Sequence, residues 1–190
     1  MKALAQFIRV VTVAPFMALM LFTLLYWKDP SEMTDFAHYL WSVFFYTLLP
    51  LLAYPVSWLL PKIRKGGRSA QRKLAILFSV AGYIGGVIYL ALWGGTGAEW
   101  LVYLTYAGSG SVIALFTFLF RFKASGHTCG VSGPVAMLVH LLGAPWLALY
   151  LLVAAVVWAS LRLERHTVSQ LLVGSAVPVC VMLLLTRLPV

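Results

Sequence analysis

The sequence predicts an all-α fold: a polytopic bundle of transmembrane helices, one domain over residues 1–190 with six to seven spans. Three observations carry that prediction. Hydrophobic residues make up 62% of the chain and charged residues 10%, with a mean hydropathy of +0.94; a soluble domain carries roughly 25% charged residues. Apolar runs of about 20 residues recur, long enough for a helix to cross a bilayer. The polar connections between them sort by charge, as connections on opposite sides of a membrane do.

The runs fall at about 10–27, 38–60, 74–95, 100–120, 131–143, 145–161 and 167–187, using the roughly 20 residues that one crossing needs. The first four and the last are comfortable in length. The fifth is short, and is expected to be tilted, partly re-entrant or continuous with the loop before it. MKALAQFIRV has no small-residue cleavage site after its apolar stretch, so an uncleaved first span is expected rather than a signal peptide. Pro15, Pro50 and Pro55 sit inside spans, where proline is tolerated and often kinks the helix. Gly82, Gly85 and Gly86, then Gly108 to Ser111, are small enough to let helices pack closely. Cys129 and Cys180 are too few for a disulfide framework and lie among apolar neighbours, as buried inert thiols do. No repeat, linker or low-complexity segment divides the chain.

The connections differ in sign. Lys28 to Asp35 and Gly94 to Glu99 are acidic on balance, whereas Pro61 to Lys73 carries six cations and no acid. With seven spans, the N-terminus and the connections at 61–73, 121–130 and 162–166 share one side. That side receives every Lys and Arg except Lys28 and Arg187, and only Glu164 among the acids. The net charge of +9 points to anionic lipid headgroups. A nucleic-acid partner would want a soluble basic face, which this composition lacks. The positive-inside rule calls the basic side cytoplasmic. Cations of an active site would lie on the active face whichever way it points.

Chemistry concentrates in RFKASGHT, Arg121 to Thr128. Arg121 and Lys123 can grip an anion, Ser125 can donate a hydrogen bond, and Gly126 lets a ligand approach the backbone closely. His127 can give or take a proton near neutral pH. A second histidine stands in RLERHTVSQLLVG, Arg162 to Gly174. His166 and Gln170 are four apart, on one face of a helix. A Gln170 carbonyl accepting from one ring nitrogen leaves the other as an outward lone pair, the state of an oriented nucleophile. His38 fits a polar span edge, and His140 a bond to a neighbouring helix.

These motifs resemble the type 2 phosphatidic acid phosphatase (PAP2) superfamily, whose signature has three parts: K-x6-R-P, P-S-G-H and S-R-x5-H-x3-D. The chain matches best over 61–174, with K-x-S-G-H-T and H-T-x-x-Q variants similar to a small bacterial-type branch and to dolichyl-diphosphatase-like members. The resemblance implies that His166 attacks phosphorus, forming a phosphohistidine, and that His127 protonates the leaving oxygen. It implies phosphate contacts from Lys65, Arg72, Ser125 and Gly126, with Lys123 beside them, and no metal or other cofactor. The sequence departs from the signature in four places. Ala124 and Lys73 stand where the family has proline, Gln170 where it has aspartate, and Ser160 where it has arginine. Arg162 or Arg165 can substitute for that arginine if the stretch is not regular helix.

The resemblance therefore implies a metal-independent hydrolase in a bacterial inner or plasma membrane, acting on a phosphomonoester or diphosphate of a lipid. Phosphatidic acid-like lipids and polyprenyl diphosphates both fit, and oligomeric state is open. It usually implies the extracytoplasmic face, opposite to the charge rule. The competing expectation, carried by Ser160 and Gln170, is a non-catalytic relative that binds lipid phosphate or serves as a structural bundle.

Overall fold

The computed structural model describes residues 1–187, excepting the side chains of Arg68, Ser69 and Arg72. The expectation for Arg72 therefore lies outside the described residues. Those residues are all-helical, without a strand.

The N-terminal run divides in two. Helix α1 (Lys2–Val11) and helix α2 (Ala14–Lys28) are bent by 51° at the break between them. Thr12 closes α1, with its hydroxyl donating to the Ile8 carbonyl at 2.6 Å. Pro15 opens α2, in the first turn where a missing N–H costs nothing. So Pro15 starts a helix rather than kinking one. Helix α1 is amphipathic: Ala5 and Thr12 are buried, while Leu4, Phe7, Val10 and Val11 face outward.

Helix α3 (Phe36–Val43) starts at Asp35, whose carboxylate accepts from the His38 N–H at 2.8 Å. It runs through a π-helical turn at Phe44–Leu48 into α4 (Leu49–Leu59). Pro50 cannot donate to the Tyr46 carbonyl and its ring presses on that oxygen, and a wider turn relieves the clash. A short α5 (Pro61–Lys65) leads to α6 (Gly67–Trp93). Helix α7 (Gly97–Phe118) opens with a reciprocal Thr96–Glu99 cap. Then come α8 (Gly126–Leu142), a 3-10 stretch at Ala144–Leu149, α9 (Tyr150–Arg162) and α10 (Val168–Leu185).

Among the described residues, five stretches are long and apolar enough to cross a membrane. They are Phe36–Leu59, Lys73–Trp93, Gly97–Phe118, Ala144–Arg162 and Val168–Leu185; α1 with α2 makes a sixth if the bent pair is one span. The short run expected at 131–143 belongs to α8. That helix has 17 residues and lies inside the bundle, with every residue from Val131 to Leu138 buried. Helices α2, α7, α9 and α10 contact it.

Small residues set the closest approaches. A Cβ on Gly82 would strike the Phe45 carbonyl, and one on Gly86 would strike the Tyr46 and Tyr103 rings. In lipid, where apolar burial alone does not draw helices together, such contact is a main source of association. Tyr46 and Tyr103 meet at 4.7 Å between ring centres, with Phe22 against both. Of the two cysteines, Cys129 is half-buried but Cys180 is exposed on α10, so only the first is shielded as expected.

The two ends of the bundle carry opposite charge. At one, His38 Nδ1 lies 3.0 Å from the Glu99 carboxylate, Thr34 donates to Glu99 at 2.6 Å, and Thr96 donates to the Glu32 carbonyl at 2.7 Å. His140 belongs to this end, where its charge acts on Glu32. The other end gathers the start of the chain, the start of α8 and the α9–α10 connection. Helix α6 also begins there, since a turn at Gly94–Thr96 joins its far end to α7.

Candidate functional site

The α8 and α10 helices are stitched together where both begin. The Ser125 N–H donates to the Gln170 carbonyl at 3.0 Å, and the Ser132 hydroxyl to the Ser175 carbonyl at 2.8 Å. Thr128 Oγ1 lies 3.1 Å from the Ser125 carbonyl and 3.3 Å from that of Leu171. Gly174 makes the approach possible, because a Cβ there would run into Ser125 O and Thr128 Oγ1. The stitching holds the two histidine-bearing segments side by side.

His166 stands just before α10, not within it. Thr167 is the N-cap, and Thr167 with Gln170 forms a reciprocal capping box. The Gln170 side-chain oxygen accepts from the Thr167 N–H at 3.3 Å and from His166 Nδ1 at 3.0 Å. An amide oxygen can only accept, so Nδ1 carries a proton, and it is the neutral form of the ring that keeps a lone pair on Nε2. The expected His166–Gln170 contact therefore forms, through a cap rather than along a helix face.

His127 lies in the first turn of α8, beyond the membrane-crossing stretches. Its Nε2 is 3.1 Å from Thr12 Oγ1. The single Thr12 hydroxyl proton is committed to the Ile8 carbonyl, so the ring N–H donates and the hydroxyl oxygen accepts. Burial pushes the His127 pKa down to about 4, and the charges of Arg9 and His166 add to the shift. All three groups therefore share one electrostatic environment. The imidazole is neutral at pH 7, and a bound anion would restore its affinity for a proton.

An open cleft of about 460 Å³ lies beside His166, lined also by Lys123, Glu164, Arg165, Thr167 and Gln170. Lys123, expected among the phosphate contacts, lines this cleft with His166. Of the two arginines offered as substitutes at position 160, Arg165 lines the cleft, and Arg162 is exposed at the end of α9 outside it. Lys65 is exposed at the end of α5 and does not line the cleft. Gly126 is exposed, with open space where a Cβ would sit. Ser125 is fully buried and its hydroxyl oxygen caps α8, accepting from the Thr128 N–H at 3.3 Å. Its side chain positions the helix rather than lining the cleft. Among the described residues, no three His, Cys, Asp or Glu side chains are grouped to hold a metal ion.

Sequence reasoning missed Arg9 and Thr12, both carried in by α1. Arg9 Nη1 donates to Ser160 Oγ at 2.6 Å across 151 residues of sequence. The one available signal was the charge sorting, which already placed the N-terminus on the side of the 121–130 and 162–166 connections. The connections themselves are bent: Arg121 and Glu164 have φ of 51° and 52°, left-handed backbone that residues other than glycine seldom adopt.

Comparison with protein-family models, curated proteins and solved structures gives no match for this chain. The resemblance to PAP2 phosphatases rests on the motifs alone.

Proposed function

We propose that this chain is a membrane lipid phosphatase of the PAP2 kind, working through a phosphohistidine at His166. The observation that carries the reading is the His166 ring fixed through Nδ1 by Gln170, with the His127 segment tied beside it by the Ser125 N–H to Gln170 carbonyl bond. In the first half-reaction Nε2 attacks phosphorus and the bond from phosphorus to the lipid oxygen breaks. The leaving oxygen takes a proton from His127, which the bound phosphate dianion has raised into its charged form. In the second, His127 takes a proton from water, the water oxygen attacks phosphorus, and inorganic phosphate leaves as the P–N bond breaks. Lys123 and Arg165 neutralise the phosphoryl oxygens, and the exposed start of α8 offers backbone N–H groups near Gly126.

Phosphoryl transfer demands positioning and charge neutralisation more than covalent assistance from the protein. A bilayer-embedded bundle suits a substrate whose tail stays in hydrocarbon while its headgroup reaches the basic end. Both phosphatidic acid-like lipids and polyprenyl diphosphates meet that description, and the membrane would be a bacterial inner or plasma membrane.

A second reading, a non-catalytic lipid-phosphate binder, is favoured by one pair of contacts. The Nε2–H of His127 is engaged by Thr12, and Gln170 caps a helix without supplying negative charge to an imidazolium. Phosphate release from a panel of phosphatidic acid and polyprenyl diphosphates, with EDTA present, separates the two. Release by the wild type that disappears in His166→Ala, with acid-labile phosphate recovered on rapidly quenched wild type and absent from His166→Ala, supports the phosphatase. Equal release by wild type and His166→Ala removes the catalytic assignment.

A further inference from the structure

Position 160 is where the resemblance calls for an arginine, and the chain has serine. That serine is fully buried, and its hydroxyl holds the guanidinium of Arg9 at 2.6 Å. Its carbonyl accepts from the Arg165 N–H at 3.0 Å, so Ser160 also ties the start of the α9–α10 connection to the Arg9 side chain. The positive charge absent from position 160 thus reaches the tip of that residue from another helix. Arg9 belongs to the inner side of α1, whose outer side shows Leu4, Phe7 and Val10. Thr12, one turn on, holds the His127 ring.

The electrostatics lead the same way. Four of the five acids, Asp29, Glu32, Asp35 and Glu99, lie toward the opposite end of the bundle. The end with Arg9, Lys123 and Arg165 has Glu164 as its acid. Bringing a half-buried Arg9 toward the exposed Lys123 and Arg165 in that setting costs repulsion, which an anion relieves. A guanidinium also presents its N–H groups in a fork that matches phosphate oxygens. A hydroxyl at 160 that fixes the fork from behind orients it, as an outer contact orients a ligand group.

We infer that Arg9 is a phosphate-binding residue of this site, delivered by α1 and aimed by Ser160 in place of an arginine on α9. The inference rests on the reading that the site takes a phosphoryl group, but not on turnover. Helix α1 is then part of the binding machinery, and the site is complete only when α1 is seated between α9 and the start of α8.

Full-length protein in phosphatidylcholine nanodiscs, titrated calorimetrically with inorganic phosphate, tests this without hydrolysis. Arg9→Ala is expected to weaken binding by about tenfold or more, as loss of a charge-assisted contact does. Arg9→Lys, which keeps charge but loses the fork, is expected to fall between it and the wild type. Ser160→Ala, which removes only the aiming hydroxyl, is expected to weaken binding several-fold, and it decides the matter if Arg9→Ala fails to fold. Phosphate binding unchanged in Arg9→Ala, or unchanged in both Arg9→Lys and Ser160→Ala, overturns the inference while leaving the site reading in place. A wild type that binds no phosphate overturns both. Weakened binding in these variants supports Arg9 even where lipid phosphate is never released, an outcome that counts against the phosphatase reading alone.

Discussion

Replacing Gly174 with alanine should damage this protein in a specific way. The added Cβ meets Ser125 O and Thr128 Oγ1 inside van der Waals contact and Ser125 N at 3.0 Å. Two of those three atoms are backbone, so no flexible side chain can swing aside. The segment before α8 must move away from α10. Overpacking of this sort costs about 1–3 kcal/mol, and losing the bond from Ser125 N–H to Gln170 O adds about 1 kcal/mol. The sum is a destabilisation of about 2–4 kcal/mol by these two contributions. A misplacement of about 1 Å between reacting groups can lower turnover by about 100-fold. Gly126→Ala is the matched control, since its Cβ meets nothing within 4 Å and its φ is not left-handed. That variant should unfold no more readily than the wild type, yet bind phosphate less well, because the methyl stands where a ligand would approach. Thermal unfolding in detergent micelles reads stability, and phosphate release or calorimetric phosphate binding reads the site. A Gly174→Ala protein as stable and as competent as the wild type would refute the claim that the α8–α10 contact holds the histidines together.

Three further outcomes follow from particular contacts. Gln170→Ala should cost about 1 kcal/mol through the lost cap and should lower turnover further by freeing the His166 tautomer, whereas Gln170→Glu keeps the cap and should restore or raise phosphate release. The half-buried His127 has its pKa lowered from 6.5 to about 4, so it stays neutral in the fold while the unfolded chain protonates. Its contribution is present in full above about pH 6.5 and is lost as pH falls toward 4; His127→Gln should flatten the melting temperature across that window. Glu99 is 2% exposed and accepts from Thr34, the Thr96 N–H and His38. Glu99→Ala strands the buried His38 ring and removes the acceptor of Thr34 and the Thr96 N–H, and should cost about 3 kcal/mol while leaving phosphate binding per folded molecule unchanged.

The fold and the site differ in how far the sequence discloses them. Hydropathy marks α6, α7 and α10 because long apolar runs have few other uses, and charge sorting puts the basic connections at one end. The His166–Gln170 contact follows from spacing, although a cap rather than a helix face delivers it. The break at Thr12 and Val13 was hidden because the apolar run continues across it, and only the proline two residues later hints at a new helix. The inward position of α8 was hidden for a related reason: a helix apolar all round reads alike whether lipid or protein surrounds it. Arg9 was least visible of all. Its partner Ser160 is 151 residues away, and nothing local to either residue announces the other. Of Arg162 and Arg165 it is Arg165 that lines the cleft, and the left-handed turn at Glu164 that separates them is not revealed by spacing.

That turn and its counterpart at Arg121 carry a consequence for how the chain tolerates substitution. A residue with a side chain in left-handed backbone costs on the order of 1 kcal/mol, a penalty glycine escapes. Selection for durability alone would favour glycine at both bends. Instead the chain keeps a cation at one and a carboxylate at the other, beside the loops that border the cleft. The helices they join must supply the missing stability, so thermal robustness and a charged rim are set against each other at two identifiable bonds of the backbone.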